Sequence, residues 1–364
     1  MDLTAALLRR TRPSLFLITG VGATGCRLAV ERVVRERGFR QALSPAEANL
    51  LVTCGSLQGG LDDVADRVWA QLPLPHARVH LTEPGDVPGG LGRALSELTD
   101  LVRQRRAVLI PAPFAGPVAK QPGASEDHAG HDMSGMDMPG GLAMADRGPD
   151  RDGLSLDQLH VPLGPALPDW PAALCLRLLI QGDVVQEATA EVIGAQAGVV
   201  PFWTAELSRP AALDSLQRML SVAGWPTAAL IARRLRDILL TDPTAEVGAL
   251  EKWSRRVRRS SLLRWSTDGL GVFPDSTGVS GDTTARWLRW LDLAAAPDPA
   301  VPAAPAVSAA DDRPSRADAA RQILAALPNL MVGQELAAVR LIVASLDPDL
   351  EAKAAGSAQG ERHA

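Results

Sequence analysis

Apolar positions recur along this chain at two different periods, and the changes of period mark its elements. SLFLITGVG, NLLVTCGSL and ARVHL are apolar runs of strand length, each followed by a segment whose apolar residues fall at helical spacing. The first of these helices, CRLAVERVVRERG, is closed by Gly38. The second, LDDVADRVWAQL, opens on Asp62 and Asp63, whose charges suit a helix N-terminus, and the third is GLGRALSELTDLVRQRR. Such β/α alternation predicts a doubly wound, mostly parallel sheet domain over residues 1–117.

Farther on, CLRLLIQGDVVQEATAEVIG reads as a β-hairpin around a Gly182-Asp183 turn, with Leu176, Leu178 and Val184 expected on a buried face. Helical spacing then returns in PAALDSLQRMLSVAG, TAALIARRLRDILLTD, VGALEKWSRRVRRSSLLRWSTDGLG and TTARWLRWLDLA. A last apolar pair, ADAARQILAALPNLMVGQELAAVRLIVAS, predicts a helical hairpin with Pro328 near its middle. The predicted fold class is therefore α/β: a doubly wound, mostly parallel sheet domain followed by a β-hairpin plus helical domain and a C-terminal helical hairpin. The boundaries expected are 1–117, a Gly/His/Met-rich linker 118–152, 153–294, an Ala/Pro linker 295–316, 317–348, and a polar, disordered tail 349–364.

Composition narrows what such a chain can do. With 364 residues, 46% of them hydrophobic, it can bury a large core. A net charge of −5 gives no general attraction to nucleic acid, so no nucleic-acid partner is expected. No apolar run reaches the length of a membrane span, and the charges of MDLTAALLRRTRPSLFLITG sit on the wrong side of a short apolar run for a signal peptide, so a cytoplasmic location is expected. Residues 209–265 depart from the average, with eleven Arg and Lys against five Asp and Glu. There, Arg233, Arg234, Arg236, Arg255, Arg256, Arg258 and Arg259 are spaced to form a stripe that is either a solvated face or a contact for a subunit or anionic lipid.

Candidate chemistry is sparse. Cys26, Cys54 and Cys175 lie far apart, with no CxxC, which argues against a disulfide framework and a self-contained zinc or cluster site. Gly20, Gly22 and Gly25 satisfy a GxGxxG spacing after a strand, but no acidic residue closes a following second strand, as a dinucleotide site would require.

Two stretches nevertheless resemble known families. SLFLITGVGATGCRLAVE, with Gly25, Cys26, Ala29 and Glu31 in order, followed by NLLVTCGSLQ and VADRVWAQLPLPHARVHL, is similar to the 20 kDa (B-type) iron-sulfur subunit of NADH:quinone oxidoreductase and to hydrogenase small subunits. The run Gly164, Pro165, Ala166, Leu167, Pro168 and the hairpin after it resemble the N-terminal hairpin of the 49 kDa (D-type) subunit and of membrane-bound nickel-iron hydrogenase large subunits. The resemblance implies a fusion of two neighbouring subunits of one redox machine. It also implies a cluster-ligand position at Cys26, a quinone cavity at the joint, and a peripheral place on the inner face of the cell membrane.

Departures from the pattern imply degeneracy. A four-iron cluster takes four thiolates, and TEPGDVPGGLG carries Pro84, Gly85, Asp86 and Pro88 where the family places cysteines. Ala166 and Leu167 replace polar pocket residues, so any remaining cavity is expected to be apolar, with the first sheet docked on the hairpin over Leu174 to Val192. The leading expectation is a non-catalytic structural or coupling subunit of a complex I-like or hydrogenase-like assembly, partnered by its other subunits and holding no cofactor of its own beyond a remnant [4Fe–4S] ligand position. One alternative is an active iron-sulfur oxidoreductase subunit using ligands from a partner chain. Another rests on DHAGHDMSGMDMPGGLAM, where His128, His131, Met133, Met136 and Met138 are imidazole and thioether groups of the kind that soft Cu(I) prefers, giving a copper-binding protein.

Overall fold

The computed structural model describes residues 12–100, 102–104, 146–149, 155–194, 198–242, 245, 248–274, 279–296 and 315–360. The protein is mixed α/β, with one parallel and one antiparallel sheet, each of four strands, and helices packed on both.

The parallel sheet comprises β1 (Ser14–Thr19), β2 (Arg40–Gln41), β3 (Leu50–Cys54) and β4 (Ala77–Leu81), in the order β2-β1-β3-β4. Its central strands are apolar on both faces because both faces are covered. Helices α1 (Thr24–Glu36) and α3 (Val87–Thr99) pack Cys26, Val30, Val34, Leu91 and Ala94 on Leu15, Leu50 and Val52. On the other face, α2 (Leu61–Trp69) sets Leu61, Ala65 and Val68 on Phe16, Ile18 and Leu51. The third helix ends earlier than the apolar pattern suggests, at Thr99. The helix breaks there rather than stopping for good: residues 102–104 are helical again, and Asp100 caps them, its Oδ1 accepting from the amides of Val102 and Arg103 and its carbonyl from the Gln104 amide.

The predicted hairpin, β7 (Leu174–Gln181) and β8 (Val184–Val192), forms around the Gly182-Asp183 turn, but within a larger antiparallel sheet. Strands β5 (Asp146–Pro149) and β6 (Ser155–Leu163) extend it in the order β5-β6-β7-β8, so residues assigned to the end of the linker belong to a sheet. An irregularity at Leu179/Ile180 changes the phase of β8. Val185 (0% exposed) therefore fills the core in place of the expected Val184, beside Leu174, Leu176, Leu178 and Ile180.

That apolar face is not covered by the parallel sheet. It packs on α9 (Arg316–Met331), α10 (Leu336–Leu346) and α11 (Leu350–Gly360), through Ile323, Leu327, Met331, Val339, Ile342 and Leu346. The C-terminal hairpin is thus the lid of the antiparallel core, and the expected disordered tail contributes a helix up to residue 360. Between them, α4 (Ser208–Val222), α5 (Pro226–Thr241), α6 (Gly248–Arg258), α7 (Ser261–Thr267) and α8 (Thr283–Ala295) share a core around Leu216, Met219, Trp253 and the fully buried Trp287. The single long segment expected after Val247 is two helices because Ser260 caps the second, its Oγ accepting from the Leu263 amide at 3.2 Å. Among the described residues no helix is long and apolar enough to cross a membrane.

Candidate functional site

The first domain meets the rest of the chain through α1. One stripe of this helix, Cys26, Val30 and Val34, faces its own sheet. Arg27 and Glu31, four residues apart and so on one face, point the other way, at α4 and α5.

There they enter a charge network that is almost closed to water. Arg27 donates through Nη2 to Asp214 Oδ2 at 2.7 Å and through Nη1 to Glu31 Oε1 at 2.8 Å. Arg236 Nη1 reaches both Glu31 Oε2, at 2.8 Å, and Asp214 Oδ1, at 2.7 Å. Asp214 also accepts from Arg218 Nη2 at 2.9 Å, and Arg218 Nη1 pairs with Asp347 at 2.8 Å. Outer members are Arg35 with Asp237, and Arg233 with Asp169 at 2.7 Å. Arginine and carboxylate match one for one, which is the condition under which buried charge is tolerated.

Burial by itself would raise the Glu31 carboxyl; Arg27, Arg236 and Arg233 outweigh it and hold Glu31 down at about 2. Asp214 is likewise driven well below the ordinary carboxylate range, burial being overcome by Arg27, Arg218 and Arg236. Asp347 goes the other way, raised chiefly by burial against the pull of Arg218. Glu31 and Asp214, at the centre of the network, are therefore ionised at neutral pH.

Alongside it lies a cavity of about 280 Å³, at the carboxyl ends of the parallel strands, where sheets of this kind bind ligands. Thr19, Val21, Arg27 and Glu31 line one side, and Pro165, Leu167, Asp169, Trp170, Arg218, Trp290 and Asp347 line the others. The expected apolar pocket is thus corrected. Leu167 is in the wall, but the ionic groups of α1 and α4 make the cavity partly charged.

The glycine-rich turn before α1 is roofed over. A Cβ on Gly22 would come within 3.0 Å of the Val199 side chain, and one on Gly25 within 3.2 Å of the Phe202 ring. The helix N-terminus, a natural place for an anion, carries a carboxylate from the chain itself. Glu351 Oε1 accepts from the Thr24 amide at 2.9 Å, and its Oε2 accepts from the Phe202 amide at 2.9 Å.

Cys26, the remnant cluster position, is buried at the start of α1, its Sγ 3.2 Å from that of Cys54 at the end of β3. The contact with Cys54 lowers the Cys26 thiol below its ordinary value, against burial, Asp86 and Glu83. The same contact, with burial, pushes Cys54 well up. Cys175 sits on β7, in the other sheet. Two facing thiols do not fit a four-iron cluster held by this chain alone. His128, His131, Met133, Met136 and Met138, proposed for copper, lie outside the described residues.

Sequence reasoning missed most of this junction. Glu31 was visible only as the end of a motif, and Asp214 and Glu351 carried no signal. Arg233 and Arg236, read as part of an outward stripe, turn inward: Arg236 is 0% exposed. What could have been noticed is that Arg236 and Asp237 fall within an otherwise apolar helix. No protein-family model, curated protein or solved structure matches the chain.

Proposed function

We propose that the chain is a non-catalytic structural or coupling subunit of a complex I-like or hydrogenase-like membrane oxidoreductase assembly. In this reading two subunit-like halves are pre-joined, and the protein acts through its surfaces rather than through a bound redox group. The observation that carries it is the ion network of Arg27, Glu31, Asp214 and Arg236, which fastens the parallel-sheet half to the helical half in a buried interface. A covalent link already places the halves near each other at high effective concentration; the network then fixes one orientation. The use of Glu351 as an internal anion on α1, and of Cys54 as the partner of Cys26, agrees with a turn that no longer serves a ligand.

The test is isolation of the tagged chain from its native membranes in mild detergent, followed by mass spectrometry. Stoichiometric recovery with redox subunits and antiporter-like membrane subunits is expected. Recovery as a lone soluble protein overturns the reading.

A further inference from the structure

We propose that the corner made by α6 and α7 is an interfacial anchor that binds anionic lipid headgroups and inserts a tryptophan and a leucine into the bilayer surface. On α6, Leu250, Trp253 and Val257 are buried. The opposite stripe continues one residue beyond the helix and consists of Lys252, Arg255, Arg256 and Arg259, all exposed and at spacings of three, four and seven. Among the described residues none of these four forms an ion pair, although the neighbouring Arg258 pairs with Asp292. Arg256 lies over the Trp225 ring at 5.6 Å, and the like charges of Lys252, Arg255 and Arg259 on one helix face repel each other, a cost that an anionic surface would relieve.

The chain turns at Ser260 and presents α7, whose Leu263 and Thr267 are buried while Leu262 and Trp265 are 70% and 82% exposed. Three residues apart, these two share a helix face. The Ser260 cap and the buried Leu263 hold that face in place. An aromatic ring with a polar N–H suits the boundary between headgroups and acyl chains, and an adjacent aliphatic side chain with flanking cations completes the signature of an interfacial segment. Stacking on nucleic acid would call for several aromatic platforms; here one aromatic stands beside a leucine.

The corner supplies a physical basis for the peripheral membrane location contained in the proposed function. It is tested on the purified full-length chain, so its failure is read separately from that of the subunit reading. The probes are vesicles of phosphatidylcholine alone and vesicles with about a third phosphatidylglycerol, assayed by co-flotation at moderate salt. Binding is expected only to the anionic vesicles. Arg255→Gln with Arg259→Gln should weaken it about 30-fold, at about 1 kcal/mol per cation. Trp265→Ser should weaken it without altering thermal stability, since the ring is exposed. Binding to neither vesicle, equal binding to both, indifference to Trp265→Ser, or a preference for a single-stranded oligonucleotide would each overturn the proposal.

Discussion

Glu31 on α1 and Arg236 on α5 stand 205 positions apart in the sequence and meet at 2.8 Å in the interior. Glu31 also holds Arg27, and Arg236 also holds Asp214, so neither charge can be removed without stranding another. Removing one partner of a buried pair costs more than the pair contributes, because the remaining charge keeps its desolvation cost. Arg236→Met should therefore destabilise the protein by about 3–5 kcal/mol, measured by urea unfolding. A cost below about 1 kcal/mol would mean that water reaches the network.

Acid should loosen the same interface. Glu31 has a folded value of about 2, against about 4.3 in an unfolded chain. Between those values the unfolded state binds more protons, so the stability that Glu31 contributes is complete above the upper one and is lost as pH falls towards the lower. Asp214 acts in the same sense. Asp347, raised by burial, acts oppositely and loses its contribution as pH rises. With two lowered carboxyls against one raised, the urea midpoint should fall from pH 5 to pH 2, and Glu31→Gln should flatten that fall.

Much of the first domain was legible because strands and helices there follow simple periods, and a parallel sheet announces itself by alternation. The hairpin was legible from Gly182-Asp183 for the same reason. Strand β6 was not, since Ser155–Leu163 is exposed at most positions, alternates only over Leu159, Val161 and Leu163, and carries Pro162, which reads against a strand. The charges at the joint were misread because helical spacing tells which residues share a face, not what the face meets. Arg236 and Arg255 look alike in sequence; one is buried against Glu31 and the other is exposed.

Beside the Ile193 side chain, which packs on the parallel-sheet half, the two halves also meet backbone to backbone. Gly59 and Gly194 both have positive φ, at 68° and 67°, and a Cβ on Gly194 would lie 2.1 Å from the Gln58 carbonyl oxygen. Gly194→Ala should cost more than the roughly 1 kcal/mol of an ordinary conformational penalty, because it both strains φ and forces the segments apart. Gly38→Ala has the same kind of φ, 66°, with nothing within 4 Å, and serves as the control. Equal thermal shifts in the two variants would remove the steric part of the argument.

The Cys26 and Cys54 thiols, 3.2 Å apart, should be the preferred partners under a thiol oxidant such as a diazene amide. Peptide mapping after quenching in denaturant should find Cys26 joined to Cys54 and Cys175 still free. A mixture of all pairings would show oxidation of an unfolded population instead.

The central structural claim is that the network makes one cooperative body of the two halves, and differential scanning calorimetry of the full chain beside Glu31→Gln addresses it most directly. The account predicts a single transition in the parent protein and a downward shift of that whole transition in the variant. Two separate transitions in the parent, with only one of them moved by Glu31→Gln, would contradict it.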